Sequence, residues 1–190
     1  MNGFRAAGVI SALLCIPAPI CAHTRWQIDS ARSSVQFKIP FMVVSTVRGT
    51  FGYIGGTITT DEQRPDDVRI DATIDAASLD THDPDRDADL RGPACLDVTR
   101  FPYVTFRSVA ARRISPGHMV VAGDLTIRDV TRRVDLVVEG PDTAPGNWAG
   151  ERRIAAHAIA TVSWKDYGLR FNRFVGDKLL LTMSVELTRS

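Results

Sequence analysis

Apolar side chains recur at every second position along most of this chain, and that period limits it to few architectures. Val35, Phe37 and Ile39 alternate with polar neighbours, and Phe51 and Tyr53 repeat the pattern. Val68, Ile70, Ala72 and Ile74 are interleaved with Arg69, Asp71 and Thr73. Val104 and Phe106 follow, then Met119, Val121, Leu125 and Ile127 around Gly123, then Val134, Leu136 and Val138. A run over residues 154–162 precedes the last set, Leu179, Leu181, Met183, Val185 and Leu187. A period of two belongs to a strand with one buried face and one wet face. The pattern predicts about eight strands, parted by turn residues such as Gly55-Gly56, Pro116-Gly117, Asp129 and residues 141–146.

Only residues 83–92, DPDRDADLRG, read as helical beyond the N-terminus: acids come first, and Gly-Pro ends the run. The stretch is too short and polar for a core helix. It is expected as a surface turn or short helical segment in a long loop over one end of the fold. Strands without covering helices must bury their apolar faces on each other, in a sandwich or a closed barrel. Long strands such as residues 119–128 favour closure, as do Gly49, Gly52, Gly55, Gly56 and Gly123 as bends. Small inward residues, Ala72, Ala156 and Ala158, leave room inside. The expected class is all-β, a closed antiparallel barrel of about eight strands, filled by its own side chains or holding one small ligand.

The length of 190 residues suits one domain. Residues 1–22 read as a signal peptide, with residues 23–190 as the barrel domain. Arg5 precedes an apolar stretch of about a dozen residues, short of the roughly 20 needed to span a bilayer. Pro17 and Pro19 break it, and Ile20-Cys21-Ala22 offers a cleavage site before His23. The mature chain is therefore expected in the periplasm or outside the cell, with no transmembrane segment. Cleavage leaves Cys95 alone, excluding an internal disulfide; its apolar neighbours in GPACLDV predict a small buried hydrophobe. The charge is nearly balanced, 23 Lys+Arg against 22 Asp+Glu, which gives no long-range field to attract nucleic acid or an anionic membrane and leaves room only for a local basic patch. Arg112-Arg113 and Arg132-Arg133 read as solvated strand ends.

No catalytic constellation emerges, and no cofactor is expected. There is no G-x-S-x-G elbow and no phosphate loop. His23, His82, His118 and His157 have no metal-ligand spacing. The acidic loop around His82, with Asp80, Asp83, Asp85 and Asp87, is the one place where a metal-dependent hydrolase would be looked for. A second rival to ligand binding is a packed barrel acting as a scaffold for another exported protein.

Several segments together resemble the YceI-like family. They are WQIDSARSSVQFKI, STVRGTFGYIGGTI, IDAASLDTHDPDRDADLRGPACLDVTRFPYVTFRS, GDLTIRDVTRRVDL, TVSWKDYGL and VGDKLLL, in order from Trp26 onward. The resemblance implies a lipocalin-like barrel of eight strands, a periplasmic location, and binding of an elongated apolar ligand such as a polyisoprenoid, fatty acid or fatty amide. It brings no catalytic residues, and dimers occur among its members, so a homodimer is a candidate state. Phe41, Asp89 and the pair Arg128-Asp129 stand where the family commonly carries histidine, and Cys95-Leu96 replaces a typical aromatic pair. Phe41 adds apolar surface, which implies a ligand with less need of a polar anchor.

Strand alternation selects the candidate lining: Phe37, Phe41, Phe51, Ile70, Ile74, Phe106, Leu125, Leu136, Val162 and Leu181. A register error of one residue would turn any of these strands outward. Arg48, Arg86, Asp87 and Arg91 match the family signature and are expected to ring the barrel mouth or to tie loops together as ion pairs.

Overall fold

A computed structural model describes residues 23–42, 45–61, 64, 67–140, 151–170 and 175–190. The expected signal peptide and the turn at residues 141–146 lie outside the described residues. The alternating runs form the strands β1 (His23–Ile28), β2 (Ser34–Phe41), β3 (Ser45–Phe51), β4 (Ile54–Asp61), β5 (Val68–Asp75), β6 (Leu79–Asp80), β7 (Tyr103–Ser115), β8 (His118–Ile127), β9 (Val130–Glu139), β10 (Arg153–Ser163) and β11 (Lys178–Arg189). One helix, α1 (Pro84–Arg91), stands among them.

Eight of these strands close a ring in the order β1-β4-β5-β7-β8-β9-β10-β11, and β11 returns to β1 through Trp26↔Arg189 and Ile28↔Leu187. Every pairing in it is antiparallel. The remaining strands heighten the wall. β2 continues β1 along the same edge of β11, taking residues 180–184 where β1 takes residues 187–189. β3 likewise extends β4 by pairing with β2, and β6 pairs with β3. The bend between β1 and β2 is pinned to β11: Asp29 N donates to Glu186 O at 2.8 Å, and Glu186 N donates to Ser33 Oγ at 3.1 Å. Closure removes the sheet edges that two amphipathic layers would otherwise expose.

The alternation places the apolar set inward, as β10 shows most cleanly: Ile154, Ala156, Ala158, Ala160 and Val162 are buried and their neighbours are not. One pairing of the sequence pattern fails. Phe51 points inward, but Tyr53 is 47% exposed, because the bend at Gly52 resets the parity and brings Ile54 inside instead.

The polar stretch at residues 83–92 is a helix of two turns. Asp83 caps it by accepting from Arg86 N at 3.1 Å, and Pro84 occupies its first turn, where a missing N–H costs nothing. It lies at the barrel end marked by the β2–β3 hairpin, the start of β9 and the start of β11. Among the described residues, no helix is long and apolar enough to cross a membrane.

The wall is uneven. β8 and β9 pair over ten positions and β10 and β11 over eleven, but β9 and β10 pair only at residues 137–139 against 157–159. Beyond that short ladder a 3-10 turn, Trp164–Tyr167, packs against β9.

Candidate ligand-binding cavity

The barrel is filled at one end and hollow at the other. At the end where β1 begins and β11 finishes, Trp26, Val68, Met119, Val121, Ile154 and Leu187 bury almost all their surface and form a packed plug. Above it lies a cavity of about 950 Å³, within the usual range for a site that encloses a small molecule. Aliphatic and aromatic side chains make most of its lining, and polar ones gather at the α1 end.

Nine of the ten residues chosen by alternation line this cavity: Phe37 and Phe41 on β2, Phe51 on β3, Ile70 and Ile74 on β5, Phe106 on β7, Leu125 on β8, Leu136 on β9 and Leu181 on β11. Val162 does not. It faces inward and is 2% exposed, but there β10 runs into the 3-10 turn, and Trp164 lines the cavity in its place. Trp164 is held by its indole N–H, which donates to Gly176 O at 2.6 Å.

Two glycines expected only as bends have a more specific role. A Cβ on Gly49 would lie 2.4 Å from the Phe37 ring, and one on Gly123 would lie 2.3 Å from the Phe106 ring. Phe37↔Gly49 are cross-strand partners, and Phe106 sits beside Gly123 across the β7–β8 pair. Each ring lies flat on a strand that has no side chain there, so the wall keeps its aromatic surface without filling the lumen. Phe51 leans on Phe37 with centroids 5.7 Å apart and planes tilted by 49°, a favourable aromatic geometry. Across the lumen, Ala156, Ala158 and Ala160 contribute wall but little bulk.

The four charged residues of the signature divide. Arg86 and Arg48 border the cavity; Asp87 and Arg91 do not. Asp87 is buried beneath α1 and accepts from Thr81 N at 2.9 Å and Thr81 Oγ1 at 2.6 Å. Arg86 donates to Thr81 Oγ1 at 2.8 Å and Thr81 O at 2.9 Å. Arg91 donates to Ala77 O at 3.0 Å and to Leu79 O. These bonds anchor the helix over the barrel end, so loop tying describes three of the four.

The residues that depart from the family pattern also gather here. Phe41, Asp89, Cys95 and Leu96 line the cavity. Arg128 instead donates to Cys95 O at 3.2 Å and stacks over Phe101 at 5.6 Å. Cys95 is 3% exposed, and burial pushes its thiol up to about 12 despite the neighbouring Arg128. A thiol held neutral in this way is a poor nucleophile.

The acidic loop near His82 does not assemble a metal site. Among the described residues, no group of three or more His, Cys, Asp or Glu side chains converges as metal donors. Asp80 accepts from His82 N at 2.7 Å, Asp83 caps α1, and Asp87 holds Thr81. Alternation could not have found Leu90, which lines the cavity from α1, or Cys95, Leu96 and Leu169, which line it from irregular segments.

The sequence pattern that defines the YceI-like domain matches residues 26–187, nearly the whole described barrel. This chain belongs to the YceI-like domain family. The Protein YceI of Shigella flexneri is 29% identical over 165 residues, covering 86% of this chain and 85% of that protein. Among solved structures, BcnA of Burkholderia cenocepacia superposes with a TM-score of 0.70 at 19% identity, covering 84% of this chain and 98% of that one. A polyisoprenoid binding domain from Saccharophagus degradans superposes with a TM-score of 0.64 at 14% identity, covering 87% and 98%. At such low identity these two structures establish the shared fold alone.

Proposed function

We propose that this YceI-like barrel binds, stores or carries an elongated apolar molecule, a polyisoprenoid or a long acyl chain, in its hollow half. The observation that carries this reading is the cavity of about 950 Å³ with an apolar wall, kept open by Gly49, Gly123 and three alanines of β10. The mechanism is burial, not bond chemistry. Each methylene moved from water to an apolar wall gains about 0.8 kcal/mol, so a dozen gain roughly 10 kcal/mol before association costs of several kcal/mol. Micromolar or tighter binding follows without any specific hydrogen bond. The polyisoprenoid-binding character of the Saccharophagus domain supports the same ligand class.

Export belongs to the same proposal. Cleavage after Ala22 delivers the mature barrel to the periplasm, where a soluble carrier is needed to move a lipid through water. N-terminal sequencing of the mature protein checks it: His23 is the expected first residue, and retention of Arg5 would contradict it.

The test of binding is native mass spectrometry of protein taken from its own compartment, followed by organic extraction. A defined mass increment matched by an extracted prenyl or acyl compound is expected. A bare protein mass that persists after incubation with prenyl and fatty-acyl lipids would overturn the reading.

A further inference from the structure

The outer wall beside the cavity mouth carries an arrangement that the barrel itself does not need. Leu180↔Lys38 and Lys38↔Arg48 are direct cross-strand partners, so the three form one row across β11, β2 and β3. All three are on the outward face and exposed, and Lys178 stands on the same face of β11, two residues from Leu180. Like charges directly opposite on a sheet repel. Yet Lys38, Arg48 and Lys178 have no ion-pair partner among the described residues, unlike Arg107 and Arg133 elsewhere on the barrel. Two acids of the flanking segments are already engaged: Asp80 accepts from His82 N at 2.7 Å, and Asp177 pairs with Lys165 at 2.7 Å. At the end of β2, Met42 is 56% exposed, next to Phe41 in the cavity wall. The cations thus flank exposed apolar side chains at the rim of the cavity.

We propose that this face, Lys38, Arg48 and Lys178 around Leu180 and Met42, docks the cavity mouth onto an anionic lipid bilayer surface. The charges fit that occupant. Unpaired cations repel one another in water and gain when a layer of phosphates faces them, while Met42 and Leu180 meet the acyl boundary. The inference rests on the reading that the cavity holds a lipid, because docking there shortens the aqueous path between bilayer and barrel.

The test is cosedimentation of the full mature chain with vesicles of phosphatidylcholine alone, and with vesicles of phosphatidylcholine and phosphatidylglycerol in equal parts. Binding only to the anionic vesicles, weakening as salt rises, is expected. Each cation near such a surface is worth about fivefold in partitioning, so Lys38→Gln with Arg48→Gln weakens binding by about 25-fold. Relief of like-charge repulsion keeps this double variant folded, which thermal melting checks. Equal binding to neutral vesicles, no binding to either, or an unchanged double variant would overturn the proposal. Ligand content, read by native mass spectrometry of the same protein, separates the two ideas. A loaded barrel that ignores anionic vesicles defeats docking and leaves the cavity reading intact; an empty barrel that still binds them does the reverse.

Discussion

The two ends of this barrel are built from the same strands with the same alternation, yet one is solid and the other hollow. β1 supplies Trp26 to the plug, and its continuation β2 supplies Phe37 to the cavity wall. β8 supplies Met119 and Val121 to the plug, then Gly123, Leu125 and Ile127 toward the open half. The difference lies in what faces each large residue across the ring. In the plug, large side chains meet in the centre, whereas in the hollow half the Phe37 and Phe106 rings lie against glycines and β10 contributes only alanines. A barrel of this girth is wide enough for either outcome. Stability and ligand capacity are therefore assigned to different stretches of the same strands.

Mutations that exchange the character of the two halves test this division. Trp26→Ala opens a void in the plug and is expected to cost about 3–5 kcal/mol of stability in denaturant titration. Ala158→Phe in the hollow half is expected to change stability by less than about 1 kcal/mol, because the space already exists. It displaces a few ligand methylenes and weakens binding by about 2 kcal/mol, read by lipid titration. Should Ala158→Phe destabilise the fold as much as ordinary overpacking does, the cavity is not empty space. Gly49→Ala falls between the two. Its new methyl pushes the Phe37 ring into the lumen, for a stability loss of about 1 kcal/mol and a visible drop in ligand capacity.

The smallest effect expected is a pH dependence. Burial raises Cys95 from 9.0 to about 12 and Tyr167 from 10.0 to about 12. The folded state then holds protons that the unfolded chain has released. Their contribution is fully present below about pH 9 and is lost as pH rises toward 12. Cys95→Ala should remove the earlier part of that decline in melting temperature, while leaving neutral-pH reactivity toward thiol reagents near zero in both proteins.

Much of the site was legible in the sequence because alternation decides which face a residue occupies. It decided correctly for nine lining residues on seven strands. It says nothing about depth along the barrel axis, so it could not separate Trp26 in the plug from Phe37 in the wall. Val162 failed for the same reason: facing inward is not the same as facing the lumen. Gly49 and Gly123 were visible as glycines out of place in strands, but their partners were not, because a ring seat depends on cross-strand register. Phe41 was read as apolar surface replacing a polar anchor, and it does line the cavity. The buried carboxylate of Asp87 was hidden in an acidic run that reads as solvated, since only the tertiary fold brings Thr81 to it.

The short ladder between β9 and β10 has a mechanical meaning. A closed barrel parts first where the fewest main-chain bonds must break, and among the described residues that is the seam of three residue pairs between β9 and β10, flanked by ladders of ten and eleven; β1 also meets β11 over three pairs, but β2 adds five more along that edge. The staves on either side are held firmly to the rest of the cylinder, so strain collects along this one line. The barrel behaves as a split ring, stiff around most of its circumference and compliant at a single slit beside the hollow half. Amide protons in the first half of β9 should exchange sooner than those of β8 and β11, because the slit can widen while the rest of the hoop stays whole.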